Sequence, residues 1–133
     1  MSDDKPKILI ADDDPEIRML IKSKLDTMKC EIFVAKDGEE ALALALEKKP
    51  DLLLLDVMMP LLTGWEVVQN VRKKPEFDQT GIIMITGIGE HVNNATAGLI
   101  GADEHIDKPF QLAELEFKVR KVIAAKRRAK KSL

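Results

Sequence analysis

Polar side chains of a few chemical types stand directly after four of the apolar runs in this 133-residue chain. Asp12 and Asp13 follow the first run, Asp56 follows the third, Thr86 follows the fourth, and Lys108 follows the fifth. Three carboxylates held a few ångströms apart repel one another at neutral pH, so they need a cation between them. An all-oxygen site of this kind suits Mg²⁺, which takes one or two carboxylates and leaves positions for phosphate oxygens.

The same side chains have the chemistry for phosphoryl transfer. A carboxylate such as Asp56 can attack a phosphoryl group and form an acyl phosphate. Lys108 would stabilise charge on the phosphoryl oxygens, and the Thr86 hydroxyl would hydrogen-bond one of them. A single aspartate after a strand is usually a helix cap or a turn residue, and that is the role we assign to Asp14. Five suitable groups at four strand ends instead favour a shared site.

These side chains can meet only if the apolar runs are neighbouring parallel strands. The runs cover residues 8–11, 32–35, 52–55 and 82–85, with a fifth, weaker strand predicted near residues 104–106. Continuous apolar runs are typical of parallel strands that helices cover on both faces. The carboxyl ends of parallel strands share one edge of the sheet, and that edge is where such sheets bind ligands.

Amphipathic stretches alternate with the runs, so the predicted order is strand then helix, five times over. The predicted helices begin near Asp14, Asp37, Thr63, Glu90 and Phe110, and the last one runs to about Lys130. The pattern over residues 90–100 is the weakest, because asparagine, threonine and glycine lower helix propensity. The sequence therefore predicts one α/β domain with a three-layer, flavodoxin-like doubly wound fold. Its five-stranded parallel sheet has the order 2-1-3-4-5, and it has five helices.

Composition excludes several classes of protein. The chain is 45% apolar, which is enough for a core at this length, and its single cysteine excludes an intramolecular disulfide and a cysteine-rich zinc site. No apolar run approaches the roughly 18 residues of a membrane span, and the first residues lack the layout of a signal peptide. We therefore expect a cytoplasmic protein with no membrane association, in which Cys30 is a small buried apolar residue rather than a reactive thiol.

Several short motifs surround the candidate residues. They are ILIADDD at 8–14, DLLLLDVMMP at 51–60 followed by Gly64, TG at 86–87, GAD at 101–103 and KPF at 108–110. In combination they resemble the CheY-like receiver domain of bacterial two-component response regulators. The resemblance runs from about Lys7 to Ala125. We assign residues 1–125 to the receiver domain and residues 126–133 to a basic C-terminal extension of the last helix.

The resemblance implies a role for each site residue. Asp56 would be the phosphoacceptor, and Thr86 and Lys108 would contact the phosphoryl group. Mg²⁺ would be bound by the carboxylates of Asp12, Asp13 and Asp56 and by the backbone carbonyl of Met58. The Lys108–Pro109 peptide bond would be cis. The protein would be a phosphorylation-dependent signalling switch rather than an enzyme, with only self-phosphorylation and slow autodephosphorylation chemistry. Its donor would be a sensor histidine kinase, a phosphotransfer protein or a small phosphodonor such as acetyl phosphate.

Three further positions matter in the family for switching or for the lifetime of the phosphorylated state. His105 matches the aromatic residue on the fifth strand that swings when the conserved hydroxyl moves inward, and its alternative role is that of an exposed or half-buried strand histidine. Met58 and Ile88, each two residues past a site residue, match positions that tune attack by water on the phosphoaspartate. Both are bulky and apolar here, so we predict a phosphorylated state that lasts minutes or longer.

Charge is unevenly spread along the chain. Residues 118–133 carry eight basic and no acidic side chains, whereas the first 117 residues have a net charge of −10. We interpret the basic end as serving a partner or a further domain. In relatives that regulate transcription, the fourth helix, fifth strand and fifth helix pair two receivers through acidic and basic residues. Asp103, Glu104, Glu114, Lys118 and Lys121 fit that scheme in part, which makes this face a candidate for homodimer formation.

Other functions fit the sequence less well. A phosphatase or phosphotransferase with an aspartyl nucleophile typically has a second acid two residues later, where this chain has Met58. A flavodoxin-like redox carrier would need a phosphate-binding loop after the first strand, where three aspartates would repel the phosphate. No aromatic residue interleaves the basic tail, which favours a solvated helix end over a nucleic-acid interface. Both a stand-alone receiver and the receiver part of a longer DNA-binding or enzymatic response regulator stay open.

Overall fold

The computed structural model describes residues 5–87 and 101–131. Its five strands are β1 (Lys7–Ala11), β2 (Glu31–Ala35), β3 (Leu52–Asp56), β4 (Gly81–Thr86) and β5 (Glu104–Asp107). All neighbouring strands are parallel, and their order is β2-β1-β3-β4-β5. This confirms the predicted sheet, including its weak fifth strand.

The helices within the described residues are α1 (Pro15–Asp26), α2 (Gly38–Lys48), α3 (Gly64–Arg72) and α4 (Leu112–Lys131), with a short 3₁₀ helix at Pro75–Phe77. The helix predicted over residues 90–100 lies outside the described residues, so α4 corresponds to the fifth predicted helix. It begins two residues later than predicted, because the first helical hydrogen bond runs from the Leu115 amide to the Gln111 carbonyl. No helix of this part of the chain is long and apolar enough to cross a membrane.

Side-chain caps explain why three of the helices begin where they do. Asp14 accepts a hydrogen bond from the amide of Glu16 at 2.9 Å, which confirms its role as a helix cap. The Asp37 side chain accepts from the third residue of α2. Thr63 and Glu66 form a complete reciprocal capping box at the start of α3. Each cap follows a strand closely, so the helices start near the edge where the candidate residues lie.

Two apolar layers enclose the sheet, because neighbouring residues of a strand point to opposite faces. Leu9 and Leu53 pack with α2 and α3 on one face, whereas Ile8 and Leu54 pack with α1 and α4 on the other. All five residues of β3 are buried, as expected for the central strand. Cys30 is partly buried against the second layer, and burial raises the pKa of its thiol, which agrees with an unreactive apolar role.

Gly64 lets helix α3 begin directly beneath the end of β3. A Cβ atom at this position would lie 2.5 Å from the carbonyl oxygen of Asp56 and 2.7 Å from Cε of Met84. The Gly64 amide donates to the Val57 carbonyl at 2.9 Å. This close approach fixes the backbone that carries Asp56, which explains the glycine in the motif.

Part of the basic C-terminal charge is neutralised inside the fold, which corrects our view that it serves only a partner or a further domain. Lys118 and Lys121 of α4 form ion pairs with Glu104 at 3.7 and 3.2 Å, and Lys126 pairs with Asp103 at 3.0 Å. These lysines lie one to two turns apart on the helix face that packs beside β5. Their acidic partners lie in the body of the domain, so these ion pairs help to hold α4 against it.

Candidate functional site

Three carboxylates meet at the carboxyl edge of the sheet. Asp12 follows β1, Asp56 ends β3, and these two strands are neighbours. Asp12 is fully buried, Asp56 is 4% exposed, and Asp13 is exposed at the rim. The three groups each offer a carboxylate oxygen, and these oxygens all lie within 4.8 Å of one another. The structure therefore brings Asp56 together with two aspartates that lie more than forty residues earlier in the sequence.

Lys108 reaches the same cluster from the loop after β5. Its Nζ lies 3.3 Å from Asp12 Oδ2 and 3.5 Å from Asp56 Oδ1, so one ammonium group faces two carboxylates. The Lys108 amide donates to the Thr86 carbonyl at 2.6 Å, which ties the loop to the end of β4. The Lys108–Pro109 peptide bond is cis, as the resemblance implies.

The electrostatics of the cluster show an excess of negative charge. Burial, with a further contribution from the charge of Asp12, raises the pKa of Asp56 to about 7, although Lys108 opposes the shift. Burial likewise raises the pKa of Asp12 above its usual range. Burial alone would lower the pKa of Lys108, but its two carboxylate neighbours raise it instead. One lysine does not balance three carboxylates, so the site has a place for a second cation.

The donor set fits a divalent cation that prefers oxygen ligands. Asp12 Oδ1 accepts a hydrogen bond from the Asp14 amide at 2.9 Å, whereas the buried Asp12 Oδ2 faces the Lys108 ammonium group at 3.3 Å without hydrogen-bond geometry and has no hydrogen-bond partner among the described residues. Buried oxygen atoms are rarely left without a partner unless another ligand serves them. Carboxylates without histidine or cysteine are the ligands of Mg²⁺. When bound, Mg²⁺ supplies positive charge that stabilises phosphoryl oxygens.

Thr86 ends β4, the strand next to β3, and is fully buried. Its hydroxyl lies 2.5 Å from Asp107 Oδ1 and 3.4 Å from the Ile106 carbonyl oxygen. The hydroxyl therefore donates to the fifth strand in this state. Asp107 did not figure in our sequence analysis, although it immediately precedes Lys108 and pairs with Thr86 in the register of β4 and β5.

The remaining predicted residues are Met58, Ile88 and His105. The side chain of Met58 is exposed, at 63%. Ile88 lies outside the described residues. The His105 side chain is 16% exposed, its Nε2 lies 3.9 Å from Asp107 Oδ1, and its Nδ1 lacks a hydrogen-bond partner within the described part of the chain. His105 is thus a mostly buried ring that lies near the Asp107 oxygen accepting from Thr86.

Comparison with known proteins gives a consistent result. The sequence-family model of the response regulator receiver domain matches residues 8–120 of this chain. The chain is 41% identical to the probable transcriptional regulator ycf27 of Porphyra purpurea, over 92% of this chain and 49% of that protein. It is also 41% identical to the transcriptional regulatory protein CpxR of Klebsiella pneumoniae, over 88% of this chain and 49% of that protein. The chain thus spans about half the length of these curated relatives.

Solved structures agree. The chemotaxis response regulator CheY4 of Vibrio cholerae superposes with a TM-score of 0.80 at 30% identity, over 89% of this chain and 98% of that one. A response regulator from Chloroflexus aurantiacus gives a TM-score of 0.83 at 30% identity, over 90% of this chain and 98% of that one. The chain therefore belongs to the receiver domains of two-component response regulators.

Proposed function

We propose that this domain accepts a phosphoryl group on Asp56 in the presence of Mg²⁺ and thereby switches the surface formed by the fourth predicted helix, β5 and α4. The observation that carries the proposal is the placement of Asp56. Its buried carboxylate lies at the end of the central strand, beside Asp12 and within 3.5 Å of the Lys108 ammonium group. Membership of the receiver family supports the same role.

The proposed step forms one bond and breaks one. An Asp56 carboxylate oxygen attacks phosphorus, and the bond between phosphorus and the donor breaks, which leaves an acyl phosphate on Asp56. With a phosphohistidine donor the leaving nitrogen takes a proton from water, and with acetyl phosphate acetate leaves. Lys108 neutralises charge on the transferred group, and Thr86 donates to one of its oxygens once its hydroxyl turns inward. The carboxylates of Asp12, Asp13 and Asp56 and the Met58 backbone carbonyl would hold Mg²⁺.

The relatives support a place for this domain in a longer signalling protein. Several of them are named as transcriptional regulators and are about twice as long as this chain. We infer that a histidine kinase or a phosphotransfer protein supplies the phosphoryl group, and that the receiver controls a DNA-binding partner domain. The face of β5 and α4 is the proposed homodimer surface. Its Glu104 is already paired with Lys118 and Lys121 of the same chain, so dimer formation would exchange these ion pairs.

The residue two positions after Asp56 favours a role in signalling over turnover of a metabolite. The exposed thioether of Met58 cannot donate or accept a proton as a second catalytic acid would. Bulky apolar side chains at Met58 and Ile88 would hinder attack by water, so we expect a phosphorylated state that lasts minutes or longer. A lifetime of a few seconds for the purified phosphoprotein would contradict this expectation.

Intact-mass spectrometry with a small phosphodonor tests the proposal. Incubation with acetyl phosphate and Mg²⁺ should add one phosphoryl group, which hydroxylamine should remove because an acyl phosphate is labile to it. Asp56→Asn should abolish the addition, whereas Asp78→Asn, a change at an exposed position after the 3₁₀ helix, should leave it intact. Addition without Mg²⁺, or undiminished addition to Asp56→Asn, would refute the proposal. Size-exclusion chromatography of the phosphorylated protein tests whether it dimerises.

A further inference from the structure

The Thr86 hydroxyl is engaged inside the resting fold. It has one proton to donate, and the nearest acceptor is Asp107 Oδ1 at 2.5 Å; the Ile106 carbonyl oxygen is more distant, at 3.4 Å. A hydrogen bond to an ionised acceptor is roughly twice as strong as one between neutral groups. The hydroxyl can therefore serve a new acceptor only if its bond to Asp107 breaks.

The backbone around this contact is held in place. Thr86 and Asp107 are paired residues of β4 and β5, and the Lys108 amide donates to the Thr86 carbonyl just beyond them. The strands therefore need not move for the hydroxyl to leave Asp107, because rotation of the Thr86 side chain is enough. Threonine is branched at Cβ, so this rotation is a step between a few distinct rotamers.

We propose that Asp107 is a positioning residue that holds the Thr86 hydroxyl away from the phosphoryl group and so sets how readily this receiver switches. The proposal rests on the function proposed above, in which Thr86 donates to a phosphoryl oxygen on Asp56. Two anionic acceptors then compete for one proton donor. The Asp107 side chain is 69% exposed, so water can solvate its carboxylate when the hydroxyl leaves. The restraint is therefore weak enough for a phosphoryl group to overcome.

His105 is placed to respond to this exchange. Its Nε2 lies 3.9 Å from the same Oδ1 atom of Asp107 that accepts from Thr86, and its side chain is mostly buried. Departure of the hydroxyl makes that oxygen available to the imidazole. The polar ring of His105 can then pair with the Asp107 carboxylate. This exchange of partners transmits the movement of Thr86 to β5.

A double-mutant cycle tests the proposal with beryllofluoride as a mimic of the phosphoryl group. Its affinity in the presence of Mg²⁺ is measured by NMR titration for the unmodified protein, Asp107→Ala, Thr86→Val and the double variant. Asp107→Ala should bind the mimic about fivefold more tightly, the effect of removing one competing hydrogen bond to a largely exposed carboxylate. Asp107→Asn should give a smaller gain, because its amide oxygen can still accept. In the Thr86→Val background Asp107→Ala should have no effect, because no hydroxyl is left to restrain.

The cycle separates the proposed restraint from a simple effect of charge. Removing a negative charge near the site could attract an anionic ligand, but that gain would be equal in both backgrounds. Equal gains, or no gain in the unmodified background, would overturn the proposal. Glu39→Ala removes one charge at an exposed position of α2 and controls for net charge.

The hydrogen bond itself can be observed without any phosphoryl group. The Thr86 hydroxyl proton should give a slowly exchanging NMR signal that is lost in Asp107→Ala, and its absence from the unmodified protein would overturn the proposal. If the unmodified protein gains no phosphate on Asp56, the proposed function fails instead. In that case the signal still reports whether Asp107 holds the hydroxyl.

Discussion

In the metal-free protein, Asp56 should make the fold less stable as the pH rises from about 4 to about 7. Burial, with the charge of Asp12, raises the pKa of Asp56 from an ordinary 3.8 to about 7 in the native state. The unfolded chain releases this proton near the ordinary value, so over this interval the native state binds more protons than the unfolded one. The contribution to stability is therefore fully present below about pH 4 and is lost as the pH passes about 7.

Asp56→Asn removes this titration and keeps the size of the side chain. One pKa unit corresponds to about 1.36 kcal/mol, so a shift of about three units sets an upper limit of about 4 kcal/mol. We expect the variant to exceed the unmodified protein in free energy of unfolding by about 2–4 kcal/mol at pH 8. The difference should shrink as the pH falls and become small near pH 4.

Urea unfolding followed by circular dichroism, in EDTA at several pH values, measures this difference. Glu31→Gln removes one charge at an exposed position of β2 and controls for net charge. Addition of Mg²⁺ at pH 8 should stabilise the unmodified protein and reduce the advantage of Asp56→Asn, because a cation relieves the same repulsion. A difference that is equal at pH 5 and pH 8, or a variant less stable at pH 8, would refute the reasoning.

Substitutions at three further positions, all followed by urea unfolding, probe the site, an ion-paired glutamate and a residue with positive φ. Lys108→Met should lower the free energy of unfolding of the metal-free protein at pH 8 by about 1–3 kcal/mol, because two buried carboxylates lose their ammonium partner; no loss would contradict the pairing. Glu104→Gln should cost about 1 kcal/mol at neutral pH. Burial alone would raise the pKa of Glu104, but its lysine partners lower it, so the loss should disappear as the pH falls below the glutamate range. Leu61→Gly should raise the free energy of unfolding by about 1 kcal/mol, because the φ of 74° at Leu61 strains any residue with a side chain and the 66% exposed side chain adds little packing. Leu61→Ala keeps the strain and should leave the free energy of unfolding unchanged.

The sheet and the positions of the site residues could be predicted because they follow from a short-range pattern. Continuous apolar runs such as residues 52–55 are typical of buried parallel strands, and parallel strands must present their carboxyl ends at one edge. Asp12 and Asp56 are therefore brought together by strand order alone. The helix caps at Asp14 and Thr63 could also be predicted from the sequence, because a cap depends on residues within one helical turn.

Other features depend on contacts between elements and escaped prediction. The partner of the Thr86 hydroxyl is set by the register of β4 against β5 and by a rotamer, neither of which the sequence specifies. The ion pairs of Lys118, Lys121 and Lys126 depend on how α4 lies across the sheet. The charge count alone predicted that these lysines serve a partner or a further domain. In the structure they pair with acidic residues of the domain itself and hold α4 to it.

The most direct test of the central claim is to locate the phosphoryl group on the chain. Borohydride reduces an aspartyl phosphate to homoserine, so protein treated with acetyl phosphate and Mg²⁺, reduced and digested can be sequenced by tandem mass spectrometry. We predict homoserine at position 56 alone, formed only when Mg²⁺ and the donor are both present. Homoserine at another aspartate such as Asp12 or Asp13, or none at position 56 in a protein that has gained phosphate, would contradict the account.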